Sequence, residues 1–342
     1  MVRVMKRRLQ YLDAARGLAI FTVVYSHICL FCLPSYDSSA VIDFLRSYFL
    51  NAFFFISGFV AYKTTDSLTD GLVSLFTKKA WQLLLPTIIV GTVYALSHHI
   101  EILRFYTDAA KYGYWFTIVL FEMYAIYFII LGITSIISYR YFQAILLTFI
   151  AIVFYWLHKN VIANTQIQNV LCLGSLSYYM PFFCLGILCN MFKPLISKVK
   201  EVGGGIFITL IFAIVVLGYI LPVPMLISNI AIVVIMIWAI KSLYHSKKSG
   251  PITSKILMGL EALGRNTLEI YFLHYFILFP IPVVVGEYFS KLSTGHQSLS
   301  TPEFVIIGTV VIIICVICIV FARLLKTIPY ISLLAFGKTT SK

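Results

Sequence analysis

Three ionisable side chains sit inside long apolar runs: His27, Glu122 and His274. A charge or proton carrier within a bilayer is costly and marks a functional position by default. Arg16 and His27 have ten residues between them. At about 100° per residue they project from one helix face, within about 20° of each other and about 16 Å apart along the axis. Asp13, three residues before Arg16, lies near the same face. Thr267, Tyr271 and His274 share a face of another helix, at spacings of four and three. His274 stands about 13 Å along from Arg265, and Glu122 about 18 Å from the inner end of its span. The two histidines and the glutamate therefore come from three helices at similar depth. Such a set suits a buried reaction site or a conduction path, and spacing alone does not choose between them. The plainer alternatives are a snorkelling anchor for Arg16 and an interhelical hydrogen bond for His27.

Residues 67–81 form an amphipathic stretch that carries Lys78 and Lys79 and leads to Pro86. It reads as an interfacial helix entering a span, where its lysines either meet lipid headgroups or clamp an anion. His98-His99 and His158, His245 and His296 read as loop residues. Cys29/Cys32 and Cys315/Cys318 have CxxC spacing, but no second polar ligand pair accompanies either. They read as small apolar residues, and no metal is expected.

The elements that must position these groups are membrane helices. Of 342 residues, 61% are apolar and only 11% charged, with a mean hydropathy of +0.96. A soluble domain carries about 25% charge, so a soluble enzyme and a disordered chain are both excluded. The runs are continuously apolar rather than alternating, which excludes an outer-membrane barrel. The expected fold is all-α, a polytopic membrane helix bundle forming one domain over 1–342. Ten spans are expected, at 17–33, 44–62, 81–97, 114–133, 141–157, 178–192, 205–221, 225–240, 267–285 and 304–322, with Pro222-Val223-Pro224 as a tight turn. The basic N-terminus reads as retained, because Asp13 and Arg16 interrupt the approach to the apolar run and no cleavage site follows.

The formal charge is +13. Placing the N-terminus inside puts 21 of the 26 Lys and Arg residues on the inner side and leaves Arg46, Arg104, Lys111, Lys159 and Lys291 outside. That asymmetry predicts both termini in the cytoplasm and accounts for the basic charge without nucleic acid.

Several segments together resemble the integral-membrane acyltransferase-3 family. Tyr-Leu-Asp-Ala-Ala-Arg-Gly-Leu-Ala at 11–19 and Val-Val-Tyr-Ser-His at 23–27 match its opening, with Arg16 and His27 as its Arg and His pair. Asn-Ala-Phe-Phe-Phe-Ile-Ser-Gly-Phe at 51–59 is similar to its aromatic-Ser-Gly motif. Residues 79–86 resemble its basic segment, Tyr114-Trp115-Phe116 with Leu120-Phe121 its Trp-Phe-Leu span, and 264–274 its late signature ending in His274. Gln82 stands where many members have a second Arg, and Phe49 where one subgroup has His. No appended esterase-like domain is expected.

The resemblance implies ten spans and transfer of an acyl group, usually acetyl, from cytoplasmic acyl-CoA to a hydroxyl of a cell-surface glycan or its lipid-linked precursor. It implies a bacterial plasma (inner) membrane. His27 would be the base or acyl carrier, with Glu122 as its tautomer-fixing partner and His274 as the rival base. Arg16, Lys78 and Lys79 would hold the anionic acetyl-CoA. Asn51, Ser57 or Tyr271 would stabilise an oxyanion, and Gly58, on the Asn51 face, would allow close helix approach. The partners implied are acyl-CoA, the sugar acceptor and membrane lipid, with no nucleic acid; the oligomeric state is open. The competing readings are a transporter or flippase for a glycolipid or small anion, and a non-catalytic partner in polysaccharide assembly.

Overall fold

A computed structural model describes residues 9–32, 40–62, 71–137, 140–160, 165–194, 225–245, 250–278 and 301–337. Among them the chain is helical, with no strand. The helices are α1 Gln10–Cys32, α2 Ala40–Ala61, α3 Leu72–Ser97, α4 Ile102–Thr107, α5 Trp115–Ile137, α6 Arg140–Asn160, α7 Gln166–Val170, α8 Leu173–Met191, α9 Met225–His245, α10 Pro251–Arg265, α11 Thr267–Leu278, α12 Thr301–Leu325 and α13 Pro329–Phe336. Eight of these, α1, α2, α3, α5, α6, α8, α9 and α12, are long and apolar enough to cross a membrane. In lipid the backbone must satisfy its own hydrogen bonds, so continuous apolar runs fold as helices. Pro86 in α3 and Pro181 in α8 lie within such helices. The expected span at 205–221, the turn at 222–224 and the far end of the span at 267–285 lie outside the described residues.

Three elements differ from expectation. Helix α1 starts at Gln10 rather than 17, because Leu12, Ala14 and Ala15 are already buried. Asp13 and Arg16 are thus built into the helix, and an acidic first turn suits its N-terminal dipole. From Leu72 the basic segment is continuous with α3, so no break separates an interfacial helix from the span; residues 67–70 lie outside the described part. Helix α10 was not expected at all. Its buried stripe is Leu257, Glu261 and Gly264, while Ile252, Ile256 and Met258 are exposed.

The described chain divides into two compact units, 1–53 with 199–319 and 54–198 with 320–342. In the first, α1 packs against α9, α10 and α11. A Cβ on Gly17 would collide with the Leu260 carbonyl, and one on Gly264 with the Asp13 carbonyl. Backbones this close require glycine, and the pairing of 17 with 260 and 13 with 264 makes α1 and α10 antiparallel. Tyr48 Oη donates to the Ala15 carbonyl at 3.0 Å, tying α2 to α1.

In the second unit, a Cβ on Gly58 would meet the Phe183 carbonyl, and one on Gly186 the Phe55 carbonyl. Phe54 stacks on Tyr179 at 4.7 Å, and Trp115 stacks on Tyr179 at 5.6 Å between ring centroids. The hydroxyls of Thr87 and Thr117 bond each other in the buried contact of α3 with α5. Helix α13 lies against α3.

Candidate functional site

Helix α1 carries His27 and α11 carries His274. His27 Nδ1 lies 3.1 Å from His274 Nε2. The rings are nearly parallel, at 10°, with centroids 5.3 Å apart. The other nitrogen of His27, Nε2, lies 3.1 Å from Tyr275 Oη. His274 Nδ1 lies 2.9 Å from the Ile270 carbonyl and 2.8 Å from the Tyr271 carbonyl, one helical turn back along α11. His274 is 0% exposed and His27 only half-buried. Both ring nitrogens of His27 are therefore met by α11. His274 is the partner in reach of His27 Nδ1, and Glu122 belongs to the second unit. The expected rivalry of two bases becomes a hydrogen-bonded pair in which one ring is sealed. Tyr271 meets His274 through its backbone carbonyl, and their ring centroids lie 6.4 Å apart.

Arg16 is half-buried on α1. One turn before it, Asp13 is buried, and its Oδ2 lies 4.0 Å from Arg265 Nε. Arg265 also pairs with Glu261, whose Oε1 accepts from Tyr244 Oη at 2.7 Å. This Asp13–Arg265–Glu261–Tyr244 cluster was not expected. The spacing of four between Glu261 and Arg265 was its one legible signal, and the Asp13 and Tyr244 contacts come from other helices. Asn51 is buried and donates from Nδ2 to the Ser47 carbonyl at 2.7 Å. Its Oδ1 has no hydrogen-bond partner among the described residues. What Asn51 most plainly leaves open is thus an acceptor, suited to a hydroxyl or N–H rather than to an oxyanion.

The remaining expected residues belong to the second unit. Ser57 is buried, and its carbonyl accepts from Tyr124 Oη at 3.4 Å. Glu122 is half-buried, and its Oε2 has no hydrogen-bond partner among the described residues. The two lysines of α3 differ: Lys78 is exposed, while Lys79 Nζ sits 4.1 Å above the Tyr124 ring.

Lys111, counted among the charges of the outer side, is only 1% exposed. Its Nζ donates to the Asp108 carbonyl at 3.1 Å and to the Asn169 carbonyl at 2.8 Å. Lys111, Tyr112 and Cys172 hold left-handed backbone, with φ of 45°, 51° and 50°. Such conformations cost about 1–3 kcal/mol each and persist where neighbours over-determine them. The Cys172 thiol beside this lysine is pushed above its ordinary range by burial, against the pull of the lysine charge. No sequence period announced this clamp. Among the described residues, no group of three or more His, Cys, Asp or Glu could hold a metal ion.

The pairing of Arg16 with a half-buried, doubly bonded His27 sits within a longer match. The family model described as an acyltransferase domain covers residues 9–321. The chain belongs to the acyltransferase-3 family. The match begins before Asp13 and ends after His274, so every residue of the histidine pair and of the Asp13–Arg265 cluster falls within the acyltransferase-3 domain. No curated protein and no solved structure matches the chain. As a member of this family with eight described helices of membrane-crossing length and apolarity, the protein is an integral-membrane acyltransferase.

Proposed function

We propose that this acyltransferase moves an acetyl group from cytoplasmic acetyl-CoA to a hydroxyl of a cell-surface glycan or its lipid-linked precursor, in a bacterial inner membrane. The observation that carries the reading is His27, half-buried on the Arg16 helix, with its second ring nitrogen turned toward a hydroxyl. In the proposed reaction His27 Nε2 takes the proton of the acceptor hydroxyl as its oxygen attacks the thioester carbonyl. The C–S bond then breaks, and the CoA thiolate recovers that proton from the imidazolium. Arg16 supplies a fixed positive charge for the donor phosphates, aided by Lys78 and Lys79. Ser57 serves the acceptor or the developing oxyanion, and Asn51 accepts a hydrogen bond from an acceptor hydroxyl through its open Oδ1. Glu122, with a carboxylate oxygen to spare, binds or polarises an acceptor hydroxyl.

The test is purified protein in lipid, supplied with acetyl-CoA and a lipid-linked sugar acceptor. Release of free thiol and a gain of one acetyl group by mass spectrometry are expected together. His27→Ala should insert and fold, yet lose about 10²–10⁴ in rate, the usual cost of a missing general base. Movement of the sugar lipid across the bilayer without thiol release would replace this reading with a flippase.

A further inference from the structure

The hydrogen-bond chain through the two histidines has a direction, and backbone chemistry sets it. A backbone carbonyl can only accept. His274 Nδ1 faces two of them, from Ile270 and Tyr271, at 2.9 and 2.8 Å. That nitrogen therefore carries a proton, since a bare lone pair there would face two others. With His274 neutral, its Nε2 is then the lone-pair nitrogen. His27 Nδ1, 3.1 Å away, must be the donor in that contact. Neutral His27 is left with its lone pair on Nε2, where the Tyr275 hydroxyl donates across 3.1 Å.

We infer that His274 is a positioning residue: it selects the His27 tautomer protonated on Nδ1 and thereby makes Nε2 the basic atom. This rests on the reading of His27 as the base given above and adds its orienting partner. The second ring of an isolated imidazole pair would be free to take either tautomer. Here the α-helical backbone of α11 decides, because His274 reaches back onto carbonyls three and four residues earlier. The same geometry prepares His27 for charge. When Nε2 gains a proton, Nδ1–H already points at the His274 lone pair, and only the Tyr275 hydroxyl must turn from donor to acceptor. The polarised chain from carbonyl to His274 to His27 stabilises the imidazolium in place. His274 is fully buried, whereas His27 is only half-buried and is the ring of the pair open to substrate.

The experiment is solid-state NMR of the full chain in lipid with ¹⁵N-labelled histidine, the His27 signals being assigned by their loss in His27→Gln. Neutral His27 should show a protonated Nδ1 and a bare Nε2. His274→Gln keeps an acceptor oxygen near the old Nε2 position and should keep that signature and most of the transfer rate. His274→Leu removes the acceptor; His27 should then populate the other tautomer, and transfer should fall about 10–100-fold, as on losing the outer partner of a working histidine. A wild-type His27 protonated on Nε2 overturns the inference, as does full transfer by His274→Leu with an unchanged spectrum. Should His274→Leu fail to fold, the wild-type and His274→Gln spectra still decide. If wild-type protein transfers no acetyl group, the proposed function falls, while the tautomer reading stands or falls by its own spectrum.

Discussion

In the first unit α1 and α10 meet through Gly17 and Gly264; in the second α2 and α8 meet through Gly58 and Gly186. Without a hydrophobic force between helices in lipid, close backbone approach is how helices gain contact, and both units use it in reciprocal pairs. They differ in their buried polar groups. The first holds an imidazole pair whose protons are directed by backbone carbonyls, with a half-buried arginine roughly three turns earlier on the His27 helix. The second holds a buried lysine lodged on carbonyls and a glutamate with a carboxylate oxygen unpartnered among the described residues. The difference teaches that the glycine seams are scaffold common to both units, while the chemistry follows from which polar side chains each scaffold aligns.

The sharpest way to break that comparison is Lys111→Met. It strips the ammonium donor from the carbonyls of Asp108 and Asn169. Each carbonyl keeps a backbone N–H donor, from Lys111 and Cys172, so the loss is that of two hydrogen bonds from a charged group, about 1.5–3 kcal/mol each, and the thermal midpoint of detergent-purified protein should fall clearly. Surviving protein should turn over normally; a folded Lys111→Met that is inactive would make the lysine clamp part of the chemistry rather than of the scaffold. Next come the seams. Gly264→Ala and Gly58→Ala should each cost about 1–3 kcal/mol by overpacking, read as loss of thermal stability. Equal costs sharpen the view of the seams as one device, and a tolerated alanine at either position would break it. The smallest effect separates the two lysines of α3. Lys79→Gln should lose about 0.5–1 kcal/mol with its cation–π contact to Tyr124. Exposed Lys78→Gln should stay within about 0.5 kcal/mol of wild type. If Lys78→Gln is the more damaging to acetyl-CoA affinity, it is the one that meets the donor.

Much of this was legible in the chain. Eight of the ten expected apolar runs are, among the described residues, helices of membrane-crossing length, since burial in lipid leaves the backbone no other hydrogen-bond partner. His27 and His274 stood out because ionisable residues are rare within such runs. Helix α10 did not stand out: its periodic stripe contains Glu261 and Gly264, which no hydropathy window scores as apolar. The burial of Lys111 gave no signal for a similar reason. A lysine in a turn looks solvated until the carbonyls of Asp108 and Asn169 are folded around it.

By itself the sequence determined the class of the protein and the alignment of Arg16 with His27 on one helix, because these follow from composition and local periodicity, and its motifs in their order carried the family. Only the tertiary structure decided that His274 is the partner of His27. That contact joins residues 247 positions apart. Its direction depends on which atoms of α11 lie within hydrogen-bond reach, a matter of ångströms that no residue spacing encodes.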